Sequence, residues 1–296
     1  MFDVKSIDRN PDRPAADLST LTPRPPAQSS LTVCPGQEPN SLYPFGELNS
    51  AARSVLAAVY DGPFDTIAYE YQPVILTKMP SFENGDAQVD RIQVQAGDTV
   101  LGADGNLVTL KEEVRVRPAG CRADDCVIPY NGTAPLEMDQ MLVTFHLRPD
   151  LTWSDGTPLT ADDSIFSFEL HKEADIDSFL LERTQVYEAA DEQTLQWFGV
   201  PGFIDPTYFT NFWMPAPRHA WSVFPADELP SIDIAANAPL GWGPYMVEEW
   251  SWRPHCAGEE SALLPRGGWI PQNGQDQLPL HPGPGHGSVR IDRGPL

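Results

Sequence analysis

Positive charge is scarce in this sequence. It contains 19 Lys and Arg residues against 42 Asp and Glu residues, which gives a formal net charge of −23 at pH 7. Nucleic acids and anionic membrane surfaces repel a chain of this charge, so we predict that neither is a partner. The chain also contains no apolar run long enough for a transmembrane helix.

Residues 1–30 lack the apolar stretch that a signal peptide requires. They are rich in Pro, Ser, Thr and Asp, a composition typical of flexible segments. We therefore predict a disordered leader over residues 1–30. The chain of 296 residues, 41% of them apolar, is long enough for one large or two ordinary domains.

Cysteine is also scarce, with four residues in the whole chain. Cys121 and Cys126 lie in the short polar loop GCRADDC, and we predict that they form a disulfide, which implies an oxidising compartment. Two free thiols are the alternative. No second cysteine pair and no histidine at ligand spacing accompanies them, so we predict neither a metal site nor a cofactor.

Motifs that mark catalysis are missing as well. The sequence has no Gly-rich phosphate loop, no G-x-S-x-G turn and no His-Glu-x-x-His pattern, so no catalytic residue is predicted and the chain is not expected to be an enzyme. Two alternatives remain open. Its many carboxylates could pair in space as in a secreted carbohydrate hydrolase, or the chain could be an acidic interaction module without a small ligand.

The apolar period of the chain changes within residues 141–170. Alternating apolar residues from Met141 to Leu147 predict a half-buried strand. After a turn, spacings of three and four predict a helix, with Ile165, Phe168, Phe166 and Leu170 on its apolar stripe. A second helix is predicted after Asn49 or Ser50 as N-cap. Strands and helices alternate irregularly elsewhere, which indicates a mixed α/β (α+β) fold.

Three acidic residues occur in the segment LTWSDGTPLTADD, which joins that strand to that helix. Asp155, Asp162 and Asp163 could be metal ligands, but their order does not match a calcium-binding loop. A structural interpretation explains them better. Asp155 and Gly156 form a turn, Thr160 caps the helix, and the two other acids fill its first turn, where the helix dipole favours negative charge.

The same turn resembles a specific family. The run VTFHLRPDLTWSDGTPLTADDSIFSFEL is similar to the signature of the family 5 extracellular solute-binding proteins, the oligopeptide, dipeptide and nickel receptors of ABC importers. EPNSLYPF, VLAAVYDGPF and LGWGPYMVEEW resemble further segments of that family in the correct order. Tyr43 stands where the family usually has Asp, and Trp242 stands where it has a small residue. The resemblance runs from about residue 31 to residue 250, with an insertion over residues 88–137.

The resemblance implies a fold, a location and a function. It implies a periplasmic-binding-protein-like type II lobe over residues 31–250, incomplete and carrying a β-rich subdomain at about residues 65–185. It implies a monomeric receptor outside the cytoplasm, in the periplasm or anchored at the cell surface, that delivers a peptide or similar solute to ABC permease subunits. The expected ligand contacts are Glu38, Asn40, Tyr43, Trp213, Trp242 and Tyr245.

The resemblance stops abruptly after Trp250. Residues 251–296 show no apolar period, and we predict that they are disordered. When this tail is back-translated with degenerate codons and read from the second base, the permitted residues include HIVLEKNPHYFR, which is how the family continues. We therefore expect a frameshift near Trp250, an out-of-frame tail without selected structure, and a truncated receptor with weak or no binding.

Overall fold

The computed structural model describes residues 31–33, 37–174, 178–252 and 259–265. The helices of these residues are Ser50–Val59 (α1), Ala161–Glu173 (α2), Phe179–Glu182 (α3), Arg218–Trp221 (α4) and Asp233–Ala236 (α5). Within these ranges, no helix has the length and apolar character needed to cross a bilayer.

The strands pair in antiparallel fashion throughout the described ranges. They are Leu31–Val33 (β1), Phe64–Ile67 (β2), Glu70–Pro73 (β3), Ala87–Val94 (β4), Thr99–Leu101 (β5), Leu107–Thr109 (β6), Arg115–Val116 (β7), Ile128–Pro129 (β8), Leu136–His146 (β9), Thr184–Asp191 (β10), Thr194–Gly199 (β11), Tyr245–Trp252 (β12) and Glu259–Pro265 (β13). The mixed α/β fold class predicted from the sequence is confirmed.

A four-stranded sheet in the order β10-β11-β9-β4 forms the centre of the structure. Its strand β9 follows the predicted alternation, because Met141, Val143 and Phe145 are fully buried and the intervening residues are partly exposed. The buried side chains of β9 contribute to the main hydrophobic core together with Val55 and Val59 of α1. The alternating pattern therefore places this sheet against the first helix.

Helix α1 begins where its capping residue predicts. The side chain of Asn49 accepts a hydrogen bond from the Ala52 backbone N–H at 2.9 Å, so Asn49 rather than Ser50 is the N-cap. Such a cap satisfies one of the four free N–H groups at a helix start. Val55, Leu56 and Val59 are buried as the sequence predicts.

Helix α2 buries only Leu170 of the apolar stripe that its sequence predicts, and Ile165, Phe166 and Phe168 are partly buried. Ser164 and Ser167 are fully buried, whereas Phe166 and Phe168 are partly buried on either side of them. The two rings pack on different hydrophobic clusters, and the small serine side chains face the protein between them. The Ser164 hydroxyl is hydrogen-bonded to the Tyr187 hydroxyl at 2.8 Å, which supplies the polar partner that a buried hydroxyl requires.

Residues 88–137, which the sequence analysis expects to be an insertion, contain strands β5 to β8. Their apolar residues form a small core around Val100 and Leu110, to which Met138 of β9 contributes. Hairpin β5–β6 turns through residues 102–106. Cys121 and Cys126 form a disulfide, which is the alternative that the sequence favoured over free thiols.

The loop closed by this disulfide is also held by ion pairs. Arg117 Nη2 lies 2.7 Å from Asp124 Oδ1, and Arg122 pairs with the buried Asp139. The same Asp139 carboxylate accepts the Gly120 N–H at 2.8 Å. Several independent contacts therefore position the loop against the inserted region.

The prediction for residues 251–296 needs one correction. Residues Glu259–Pro265 form strand β13, which lies between β1 and β12 in a three-stranded sheet. The expectation of irregular structure is therefore wrong for this segment, which pairs with a strand on each side. Its short apolar run at residues 262–264 is typical of a strand. The predicted leader and residues 253–258 and 266–296 of the predicted tail lie outside the described residues.

Two glycines allow the segment before β12 to touch helix α1. The Gly243 N–H donates a hydrogen bond to the Val59 carbonyl oxygen at 2.7 Å. A Cβ atom at Gly243 would lie 2.6 Å from that oxygen, and one at Gly241 would lie 2.2 Å from it. Any side chain at these positions would separate the segment from the end of α1.

We predict that Gly243→Ala destabilises the protein by about 3 kcal/mol, the upper range for overpacking a close contact. Gly46→Ala is the matched control, because a Cβ atom there would make ordinary contacts at 3.4 Å. Urea unfolding followed by tryptophan fluorescence measures both values. Equal losses of stability in the two variants would contradict the close approach to Val59.

Candidate functional site

Most of the aromatic residues predicted to contact solute are buried inside the described structure. Tyr43, Trp213 and Trp242 are 7%, 6% and 2% exposed. Tyr43 packs on Trp221 with ring centroids 5.7 Å apart, and burial raises its pKa to about 12. In this structure these three side chains are core residues, and their contact with solute stays a prediction. Their burial is typical of aromatic rings, which dominate hydrophobic cores.

The ring partners of the two tryptophans lie on neighbouring elements. Trp213 packs at 4.8 Å on both Phe168 and Tyr187. Trp242 packs at 4.9 Å on Tyr60 and at 5.4 Å on Trp153, and its indole N–H donates to the Asp61 carbonyl oxygen. These contacts connect helices and turns to one another and leave little ring surface for a solute.

Glu38 and Asn40 are exposed, and their hydrogen bonds position a turn. The Asn40 amide donates to the Glu47 carbonyl oxygen at 2.6 Å and accepts the Asn49 N–H at 3.0 Å. The Glu38 carbonyl oxygen accepts the Asn49 side-chain amide at 2.6 Å. The Glu38 carboxylate, the Asn40 side chain and the partly exposed Tyr245 ring are the accessible members of the predicted set, and their contact with solute stays a prediction.

The two turns that carry the expected ligand contacts lie at opposite ends of helix α1. The Glu38–Asn40 turn is bonded to Asn49 at its start, whereas Gly243 is bonded to Val59 at its end. A helix of 10 residues is about 15 Å long at 1.5 Å per residue. The two turns therefore lie about one helix length apart.

The acidic turn that opens helix α2 is a structural junction. Asp163 Oδ2 accepts the Thr160 N–H at 3.0 Å and the Trp153 indole N–H at 3.1 Å. Its other oxygen accepts the Arg218 N–H at 3.1 Å. Burial raises the pKa of Asp163, and these hydrogen bonds oppose that rise. Because three donors occupy this buried carboxylate, it is a scaffold group, as the structural interpretation of the turn predicts.

The remaining acids of the turn form two exposed ion pairs with the segment that begins α4. Asp155 lies 2.8 Å from His219 Nε2, and Asp162 lies 3.2 Å from Arg218. Burial tends to raise the pKa of Asp155, but hydrogen bonds from Thr157 and His219 outweigh this and lower it. Among the described residues, no group of His, Cys, Asp or Glu side chains could hold a metal ion.

Sequence reasoning found the cap at residue 160 but missed the links to residues 218 and 219. Arg218 and His219 follow Asp163 by more than fifty positions, and nothing in a local pattern connects them. The available signal was the position of Asp163 near the start of an apolar helix, because a carboxylate buried there needs hydrogen-bond donors. The sequence alone did not identify those donors.

Residues 136–254 match the model of the bacterial extracellular solute-binding proteins, family 5 Middle. The predicted family resemblance is confirmed over this segment. The segment includes strand β9, the junction at Asp163, helix α2 and the turn at Gly243. The matched segment therefore contains the hydrogen-bonded junction at Asp163. No curated protein matches the chain.

Solved structures of peptide receptors are similar to part of the chain. The oligopeptide binding protein from Thermus thermophilus, complexed with a pentapeptide, is 17% identical with a TM-score of 0.46, over 73% of this chain and 34% of that chain. AppA from Bacillus subtilis, in complex with a nonapeptide, is 14% identical with a TM-score of 0.41, over 73% and 33%. The chain thus spans about a third of the length of these structures.

We predict that Asp163→Ala costs about 3 kcal/mol or more, because a buried donor left without its acceptor costs about 1–3 kcal/mol. Asp163→Asn should be intermediate, since an amide offers one acceptor oxygen where two are used. Thr160→Ala should cost about 1 kcal/mol, the usual value of a helix cap.

Asp162→Asn is the matched control for this junction, because Asp162 is exposed and exposed ion pairs contribute about 0–1 kcal/mol. Denaturant unfolding of the four variants gives the comparison. A loss of stability in Asp162→Asn as large as that in Asp163→Ala would contradict the assignment of Asp163 as the junction.

Proposed function

We propose that this chain is part of the substrate-binding component of an ABC importer for peptides or similar small solutes. The observation that carries this proposal is the family match over residues 136–254, which includes the acidic turn and the Gly241–Gly243 approach to α1. The protein would act outside the cytoplasm as a monomer and pass its solute to permease subunits. It would need no cofactor.

The described residues support a binding role more than a catalytic one. A glycoside hydrolase uses two carboxyl groups that face each other across a cleft. Asp163 is a carboxyl whose pKa is raised by burial, as in a general acid, but all its oxygens are used in hydrogen bonds to the scaffold. This residue therefore does not support the hydrolase alternative.

The same residues support weak binding by the chain itself. Small-molecule sites are usually concave and bury most of the ligand. The aromatic residues predicted for such a site are instead packed within the core, and the chain spans about a third of the similar receptors. We propose that the rest of the site requires residues that this chain does not provide.

A thermal-shift screen of the chain against peptides, sugars and metal ions tests the receptor proposal. Ligand at a concentration near its Kd stabilises by about 0.4 kcal/mol, so we expect peptides at millimolar concentration to raise Tm by about 1–2 °C. Free amino acids of the same composition are the control. Stabilisation by sugars alone, or turnover of a glycoside, would contradict the proposal.

We also propose that the sequence after Trp250 is translated out of frame. The support is the family-like continuation in the shifted frame and the end of the family match at residue 254. Sequencing the gene across the Trp250 codon should reveal a single-base insertion or deletion and a long open frame. A stop codon soon after the shift point would contradict the proposal, and so would a protease-resistant core formed by residues 266–296.

A further inference from the structure

A row of aromatic rings lies along one surface of the molecule. Phe64 packs on Tyr71 at 5.6 Å between ring centroids, and Tyr71 packs on Phe209 at 5.0 Å. Phe209 then contacts Tyr208 at 5.7 Å, and Tyr208 contacts Phe82 at 5.2 Å. We call these five residues, together with the tip of hairpin β2–β3, the hairpin surface.

The hairpin surface is open to solvent over much of its length. Tyr69 at the hairpin tip is 98% exposed, and Phe82 and Tyr71 are 53% and 45% exposed. Single exposed apolar residues are common, but contiguous exposed rings mark interaction sites. The exposure of these rings is therefore not explained by packing within the described structure, and it indicates an interaction site.

The backbone at the tip holds Tyr69 in its exposed position. Ala68 and Tyr69 have φ values of 52° and 69°, as a two-residue type I′ turn requires. Residues other than glycine, asparagine and aspartate rarely adopt this conformation, which costs about 1–3 kcal/mol each. Glycine or asparagine would make the same turn without that cost. Turn formation therefore does not explain a tyrosine at position 69.

The hairpin also leaves backbone groups free at its edges. Strands β2 and β3 pair with each other and with no further strand of the described ranges. The register Ile67↔Glu70 and Asp65↔Gln72, continued by the Val74 N–H to the Pro63 oxygen at 3.1 Å, directs alternate groups inward. The carbonyl oxygens of Phe64 and Thr66 then point outward and can accept hydrogen bonds from an extended chain. The outward Thr66 N–H donates to Asp65 Oδ1 at 2.6 Å.

The charge around the hairpin surface is negative. Residues 54–77 contain Asp61, Asp65 and Glu70 and no Lys or Arg. The next residue, Lys78, is paired with Asp86 at 2.7 Å. Asp65 and Glu70 are exposed residues of the hairpin itself. A cation brought to this surface would interact favourably with these carboxylates.

We propose that the hairpin surface binds a cationic, extended peptide. Its backbone would pair with the edge of β2, its apolar side chains would lie on the aromatic row, and its Lys or Arg side chains would lie between the rings and the carboxylates of Asp65 and Glu70. Arg and Lys interact favourably with aromatic faces. This inference rests on the proposed receptor function and adds a positively charged solute class to it.

Fluorescence anisotropy with two labelled hexapeptides tests the inference on the full chain. One peptide alternates Lys with Val, and the other alternates Glu with Val. We expect the Lys peptide to bind more tightly than the Glu peptide, and Glu70→Gln to weaken its affinity and its salt dependence. Tyr69→Asn and Phe82→Ser should each weaken the affinity for the Lys peptide about ten-fold, or one factor of ten per 1.4 kcal/mol.

Phe179→Ser is the matched control, because Phe179 is a 64% exposed aromatic residue on α3. Tyr69→Asn keeps the turn, since asparagine tolerates the left-handed conformation. Equal affinity of the Lys peptide for all variants would overturn the inference and leave the receptor proposal intact, and so would thermal stabilisation by neutral peptides only. Concentration-dependent self-association that Tyr69→Asn abolishes would overturn it in favour of a second copy as the occupant.

Discussion

The carboxylate of Asp163 joins segments that are far apart along the chain. It accepts hydrogen bonds from N–H groups of Trp153, Thr160 and Arg218. The backbone carbonyl oxygen of Asp163 accepts the Ala216 N–H at 3.0 Å. Trp153 then contacts Trp242, so the network extends to the end of α1. A buried charge is tolerated only with such partners. The positions of α2, α4 and the segment before β12 consequently depend on one another.

Sequence patterns predicted the parts of the fold that local chemistry decides. Alternation identified β9, the cap at Asn49 located α1, and the disulfide was favoured by the spacing of its cysteines. The buried serines of α2 were missed because two aromatic neighbours pack to either side, which only the tertiary structure determines. The burial of Tyr43, Trp213 and Trp242 was missed for a related reason: an aromatic ring has the same sequence signature in a core and in a binding cleft.

The expected ligand contacts lie at separate places on the described structure. The Glu38–Asn40 turn and the Gly243 turn lie at opposite ends of α1, so this part of the chain presents separate edges and no enclosed site between them. The accessible aromatic surface is instead formed by hairpin β2–β3 and residues 208–209. The family match covers residues 136–254, which include residues 208–209 but not hairpin β2–β3. It therefore concerns the junction at Asp163 more than the position of a solute.

The loop closed by Cys121 and Cys126 is held by contacts other than its disulfide. Arg117 donates to the Ala103 carbonyl oxygen at 2.7 Å as well as to Asp124, and Arg122 reaches the buried Asp139. None of these contacts changes with the redox state of the surroundings. The loop can therefore take its place while its sulfurs are still thiols. The disulfide is therefore one of several constraints on the shape of this loop.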